Sequence, residues 1–158
     1  MQTTSPNGHL INALQPATLD VSVLSQLVPG SVVDLAFPFA FGTADAAVLA
    51  TLPTGLKLLV TRGYWEIVAD LTGGASSAIG LSSSQSPYNT KGDLLGGASG
   101  DVAASLTAGI RPGTTGADIA AGIILLGGAT IKFDRIVSAF TAGSGYAHLV
   151  ATVLGSAV

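Results

Sequence analysis

The residues best suited to catalysis in this sequence are two histidines, His9 and His148, and a single glutamate, Glu66. A serine–histidine–aspartate site needs a histidine beside an exposed serine and an orienting acid. The nucleophile-elbow pattern Gly-x-Ser-x-Gly does not occur, because the closest segments, 97–100 and 143–145, have the wrong spacing. We therefore predict that His148 is a structural or interface residue on a strand.

A glycosidase would instead need two carboxyl groups at a matched separation. Glu66 would have to pair with Asp70 or Asp34. On one strand Glu66 and Asp70 would share a face about 13 Å apart, which is too far for such a pair. The sequence thus favours a protein that is not an enzyme.

Metal and phosphate sites are equally poorly supported by the residue types present. The chain has no cysteine and its two histidines are far apart, which disfavours zinc. Segment 96–101 matches a glycine-rich calcium turn only in part, and neither common phosphate-loop pattern occurs. We predict no catalytic, cofactor-binding or metal-binding residues, and we assign turn and cap roles to Asp93, Asp101 and Asp118.

The composition describes an unusual surface for a chain of 158 residues. Charged residues make up 9%, against a usual share of about 25%, while hydrophobic residues make up 48%. This balance excludes a disordered chain, and a net charge of −3 provides no basic field for nucleic acid. A soluble monomer usually carries many charged side chains over its surface, and this chain has too few of them. We therefore expect a partner to cover part of the surface.

A membrane is disfavoured as that partner. The longest stretch without Asp, Glu, Lys or Arg is 136–158, which is long enough to span a bilayer. It contains Gly143-Ser144-Gly145, which reads as a turn, and turns are not exposed to lipid.

Turn residues and alternating apolar residues predict a mainly β protein: a β-sandwich or jelly-roll-like single domain with an extended N-terminal arm. We place the arm at residues 1–30, which proline and glycine interrupt repeatedly, and the β-rich domain at 31–158. Pro38 should confine its strand to an edge or a bulge. Gly63 should mark either a bulge in one long strand or a tight turn between two. The predicted strands are 32–41, 56–71, 76–81, 123–126, 130–140 and 146–154, with a short helix at 101–108 and loops at 82–100 and 109–118.

Two further expectations follow from these strands. Segment 143–145 should turn the chain, so that 130–140 and 146–154 form a hairpin. Alternation along the best strands predicts a core that contains Leu58, Val60, Ile67, Ile131, Phe133 and Val153.

Three blocks of the sequence resemble small structural proteins of tailed-bacteriophage particles. They are LPTGLKLLVTRGYWEIVADLTGGASSAIGLSSS, YNTKGDLLGG and GGATIKFDRIVSAFTAGSGYAHLV, within the segment from Leu52 to Leu154. Proteins of this kind often serve as capsid decoration, or cement, proteins whose β-rich bodies sit over joints between major capsid subunits. The resemblance implies a protein of the virion, assembled in the bacterial cytoplasm, without catalytic residues. It also implies that the chain binds the major capsid protein and copies of itself.

Three alternatives remain open from the sequence. The chain could be another particle component, such as a head-fibre base, a tail protein or a head–tail joining protein. It could instead be a β-sandwich hydrolase or a carbohydrate-binding module, which would require a concave pocket holding Trp65, Glu66 or His148. A membrane protein is the third. Under the capsid hypothesis, residues 1–30 should contact another chain by adding main-chain hydrogen bonds.

Overall fold

A computed structural model describes residues 3–4, 10–11, 28–74, 76–96, 101–114, 119, 122–138 and 140–155; for 3–4 and 10–11 only the backbone is described. The described part is mainly β and forms a two-sheet β-sandwich, as the sequence predicts. Its strands are β1 (Thr3–Thr4), β2 (Leu10–Ile11), β3 (Val32–Ala40), β4 (Ala47–Thr51), β5 (Lys57–Gly73), β6 (Ala78–Ser83), β7 (Leu95–Gly96), β8 (Gly109–Pro112), β9 (Ile123–Leu126), β10 (Thr130–Ile136) and β11 (Phe140–Gly155).

The large sheet has the strand order β1-β2-β3-β11-β5-β8, and β9 also pairs with β5. The small sheet has the order β4-β10-β6-β7. All pairings are antiparallel except that of β2 with β3. The long strands β5 and β11 form the centre of the large sheet, and they position the site described below.

The core lies between the two sheets, where alternate residues of each strand point inward. The six residues predicted from alternation are all buried, which confirms that prediction. They are Leu58, Val60, Ile67, Ile131, Phe133 and Val153. An aromatic cluster crosses the sandwich: the Phe39 ring stacks on Phe133 at 5.2 Å between centroids and meets the edge of Trp65 at 5.6 Å.

Residues Lys57–Gly73 form one long strand, so the one-strand alternative at Gly63 is correct, but the bulge lies at Thr61 and Gly63 itself pairs in register with Leu149. The register of β5 against β11 shifts between Val150 and Ala151, which face Arg62 and Val60, and this leaves Thr61 as the extra residue. Gly63 lies two residues further along and is buried. A Cβ at Gly63 would lie 2.9 Å from Leu95 Cδ1 and 3.2 Å from the His148 carbonyl oxygen, so a larger residue there would require these neighbours to move.

Pro38 lies in an edge segment of β3, as predicted. It faces Tyr146 of β11 on one side, whereas β2 pairs only with Val33 and Asp34 on the other side within the described residues. Proline cannot donate a ladder hydrogen bond, and here β3 has a single described neighbour.

The predicted hairpin through Gly143-Ser144-Gly145 is wrong. Strand β10 belongs to the small sheet and β11 to the large sheet, and the chain passes between them at Val137 and Ser138. Val137 has a φ of 69° and is 81% exposed. Segment 143–145 lies inside β11, where repeated register shifts absorb it as bulges. Glycine at position 145 lets the Glu66 carbonyl approach, since a Cβ there would lie 2.3 Å from that oxygen.

Other local predictions also need correction. The loop predicted at 109–118 begins as β8, because the adjacent edge of β5 offers hydrogen-bonding groups between Tyr64 and Ile67. The helix predicted at 101–108 is a single 3₁₀ turn at Ala103–Ser105. Strand β6 does not alternate, since all six of its residues are buried. The predicted loop 82–100 contains the end of β6 and the short strand β7.

The strand at 123–126 is as predicted. Most of the arm lies outside the described residues, so its predicted contact with another chain stays a prediction. Its described segment β2 adds to the edge of β3 in the same chain. In the described part of the chain, no helix is long and apolar enough to cross a membrane.

Candidate functional site

The outward-facing side of the large sheet, here called the outer face, brings together three of the residues weighed for chemistry from the sequence, namely Asp34, Glu66 and His148. Side chains alternate along a strand, so Asp34 on β3, His148 on β11, and Tyr64 and Glu66 on β5 all face away from the core. The register places His148 opposite Tyr64, and Tyr146 opposite Glu66. Asp34 faces Val150, two residues from His148. Asp34 and Glu66 are therefore diagonal neighbours of His148, within reach of its ring.

Four of these residues form a connected set of hydrogen bonds, here called the polar cluster: Asp34, Tyr64, Glu66 and His148. His148 Nδ1 lies 3.0 Å from Asp34 Oδ1, and His148 Nε2 lies 3.2 Å from Glu66 Oε2. The Tyr64 hydroxyl donates to Asp34 Oδ2 at 2.6 Å. The Tyr64 ring also stacks on the imidazole, with centroids 4.3 Å apart and planes inclined by 9°. One imidazole thus links three neighbouring strands.

Partial burial and hydrogen bonding together set the acid–base behaviour of the polar cluster. Burial raises the pKa of Asp34, but the hydrogen bonds from His148 and Tyr64 and the positive charges of His148 and Arg62 outweigh it, leaving the pKa below its ordinary value. Burial raises the pKa of the Tyr64 phenol well above its ordinary value, and the bond to Asp34 adds to this effect. Asp34 is therefore an anion and Tyr64 a neutral donor near neutral pH.

The polar cluster does not assemble either of the catalytic arrangements considered from the sequence. The partners of His148 are Asp34 and Glu66, and no serine hydroxyl bonds to it among the described residues. The imidazole occupies the space between these two carboxylates, where a glycosidase would place a sugar and a water. Asp70 accepts a hydrogen bond from the Ala108 amide and takes no part in the polar cluster. His9 lies outside the described residues.

Trp65 does not join Glu66 and His148 in a pocket. It is fully buried on the opposite face of β5, and its Nε1 donates to Asp101 Oδ1 at 2.6 Å. Asp101 also accepts the Thr114 amide at 3.0 Å through Oδ2. The predicted N-cap role of Asp101 is wrong, because Val102 is the N-cap of the 3₁₀ turn and Asp101 is a buried acceptor instead.

Asp93 and Asp118 are the other two acids that were assigned turn or cap roles from the sequence. Asp93 accepts the Thr90 amide at 2.6 Å within a turn, which confirms its turn role. Asp118 lies outside the described residues. No group of three potential metal ligands occurs within the described ranges.

Exposed apolar side chains surround the polar cluster on the outer face. Ile110 on β8 faces Glu66, and it is 62% exposed. Ile124 and Leu126 on β9, together with Leu154 on β11, alternate with buried neighbours and point outward at the other end of the sheet. The outer face therefore combines apolar ends with a polar centre whose side chains are hydrogen-bonded to one another.

A second buried acid, Asp134, holds the small sheet to the loop that follows β6. Its Oδ1 accepts the Ser82 hydroxyl at 2.9 Å and its Oδ2 accepts the Gly92 amide at 3.0 Å. Burial raises the pKa of Asp134 although these two hydrogen bonds act in the opposite direction. A carboxyl whose pKa is raised on folding favours the folded state most at low pH and loses that contribution as pH rises through the folded pKa.

We expect Asp134→Asn to be more stable than the wild type at pH 7, by about 1 kcal/mol, the usual size of a single-substitution effect. The amide keeps an acceptor for Gly92 and offers a donor to Ser82, but it cannot ionise. Urea unfolding at pH 4 and pH 7 checks this, and the advantage should shrink at pH 4. An advantage that is larger at pH 4 would contradict the role assigned to burial.

Asp45→Asn is the matched control for that experiment. The hydrogen bond from Lys91, followed by that from the Arg135 amide, lowers the pKa of Asp45. Its stabilising contribution is therefore present above the ordinary aspartate range and is lost in acid. Asp45→Asn should lose stability at pH 7 and little at pH 3, which is the opposite trend.

Comparison with known proteins finds no matching family model, no similar curated protein and no similar solved structure.

Proposed function

We propose that this chain is a structural protein of a tailed-bacteriophage particle that binds the outside of the capsid shell and stabilises it. The observation that carries the proposal is the outer face, where exposed apolar side chains flank a polar cluster whose side chains are hydrogen-bonded to one another. Burying such a face removes apolar area from water and leaves few unpaired charges to desolvate. The resemblance to capsid decoration proteins supplies the partner, the major capsid protein, together with further copies of this chain.

The proposed mechanism is stabilisation by mass action. A protein that binds the assembled shell, but not free capsid subunits, shifts the equilibrium away from disassembly. The scarcity of charge over the whole chain agrees with a surface that is partly covered in its working state.

The test uses shells assembled from the major capsid protein that the same genome encodes. We expect the purified chain to cosediment with shells until saturation, not to bind unassembled subunits, and to raise the temperature at which shells dissociate. A chain that does not cosediment, or that binds subunits and shells equally, would contradict the proposal.

A variant pair sharpens this test on the outer face. Ile110→Lys places a charge on the exposed apolar part of that face, and Val137→Lys makes the same kind of change at the exposed passage between β10 and β11. Both sites are exposed, so neither change should unfold the chain. We expect Ile110→Lys to weaken shell binding more than Val137→Lys, and equal binding by both would exclude the outer face as the contact surface.

The copy number per particle separates a decoration protein, present in proportion to capsid subunits, from a fibre, tail or joining protein.

A further inference from the structure

The polar cluster contains a histidine whose two ring nitrogens both face carboxylates. His148 Nδ1 is directed to Asp34 and Nε2 to Glu66, at 3.0 and 3.2 Å. An ionised carboxylate only accepts hydrogen bonds, and a neutral imidazole has one donor nitrogen and one acceptor nitrogen. Both contacts are hydrogen bonds only when both nitrogens carry a proton.

We propose that His148 is held as the doubly protonated imidazolium between Asp34 and Glu66, forming a pH-sensitive bridge across β3, β11 and β5. Loss of one proton from the ring leaves one carboxylate without its donor. The same loss changes the charge of the polar cluster by −1 at the centre of the outer face.

Besides Glu66, the titratable and charged groups around the ring come from β3, β5 and β11. From β5, Tyr64 stacks on the ring and Arg62 lies 6.0 Å from the Tyr64 ring centroid. From β11, Tyr146 is tilted against the imidazole at 6.4 Å. Asp34 is the titratable neighbour from β3. Because its pKa is lowered, its carboxyl group stays ionised over the whole pH range in which an ordinary aspartate is ionised. Tyr64 keeps its proton because its pKa is raised.

The direction of the pH effect follows from which form the carboxylates stabilise. The bridge contributes to folding only while both ring nitrogens carry a proton, because a neutral imidazole cannot donate to both carboxylates. It is therefore favoured by acid and weakened by base. The His148 side chain is only 12% exposed, so solvent replaces its contacts poorly.

Thermal unfolding of the wild type and His148→Gln between pH 5.5 and 8.5 tests the bridge in the isolated chain, without any capsid. We expect His148→Gln to melt about 4 °C below the wild type at pH 5.5, from the loss of hydrogen bonds to charged groups. The gap should fall by half or more at pH 8.5. Distant acids such as Asp134 are common to both proteins and cancel in the difference.

His9→Gln is the matched control, because it removes the chain's other imidazole. A gap that does not change with pH would overturn the proposal, as would an equal pH-dependent gap for His9→Gln. If His148→Gln does not fold, Glu66→Gln provides the test of the bridge. We expect this variant to fold, since the Glu66 side chain is 46% exposed and the amide keeps an acceptor. Nitrogen-detected NMR at pH 7 should then show a smaller doubly protonated fraction of His148 than in the wild type. An unchanged fraction would overturn the bridge.

Discussion

Replacing Phe133 with alanine is expected to destabilise the chain by about 3–5 kcal/mol. Phe133 on β10 is fully buried, stacks on Phe39 at 5.2 Å and meets Phe140 at 6.2 Å. It therefore joins the small sheet to two strands of the large sheet. Truncation removes these contacts and leaves a cavity that β-strands, fixed by their ladders, cannot close by moving together. Urea unfolding followed by circular dichroism measures the loss.

Phe41→Ala is the matched control for Phe133→Ala. It makes the same chemical change at a phenylalanine that is 57% exposed, so we expect a loss within about 0.5 kcal/mol. A loss below about 1 kcal/mol for Phe133→Ala would contradict the burial of this ring and, with it, the packing of the two sheets.

The sandwich and its core could be predicted because their signals are local. Alternation along 57–60 and 131–133 identifies inward positions without knowledge of any partner strand, whereas the bulge at Thr61 depends on the pairing with β11. The six predicted core residues are buried for this reason. Segment 109–112 was predicted as loop because its strand pairing depends on an edge of β5 that lies far away in sequence.

The hairpin prediction failed for a related physical reason. Gly-Ser-Gly is compatible with a tight turn, but it is also compatible with bulges in a long strand, and only the neighbouring strand decides between them. Here β5 is long enough to pair with β11 along almost its whole length, from Phe140 to Gly155. The extended pairing satisfies more backbone groups than a turn at 143–145 would.

The polar cluster could be predicted only in part. Alternation correctly assigns Tyr146 and His148 to one face of a strand. It does not reveal that β3 and β5 flank β11, and that order alone brings Asp34 and Glu66 to the two ring nitrogens. Residues 114 positions apart in sequence leave no local trace of such a contact.

Asp101→Ala is expected to have the second-largest effect, a loss of about 2–5 kcal/mol. The Asp101 carboxylate is fully buried and accepts hydrogen bonds from Trp65 Nε1 and from the Thr114 amide. Alanine leaves both donors without their acceptor; the buried Trp65 indole N–H carries a desolvation cost of about 1–3 kcal/mol, and the half-buried Thr114 amide adds a smaller one. Urea unfolding followed by Trp65 fluorescence reports both the stability and the surroundings of the only tryptophan.

Asp101→Asn separates the acceptor from the charge. Its side-chain carbonyl can still accept from one of the two donors, so we expect roughly half the loss seen for alanine. The two variants should also differ in the native fluorescence spectrum, because alanine leaves the indole N–H unpaired in an apolar site. Equal losses below about 1 kcal/mol for both variants would show that Asp101 does not anchor Trp65 and the 101–114 segment to the sandwich. A buried acceptor requires that the alanine variant lose more stability than the asparagine variant, and that both be less stable than the wild type. An exposed N-cap, the role predicted from sequence, would cost only about 0.5–2 kcal/mol on replacement by alanine.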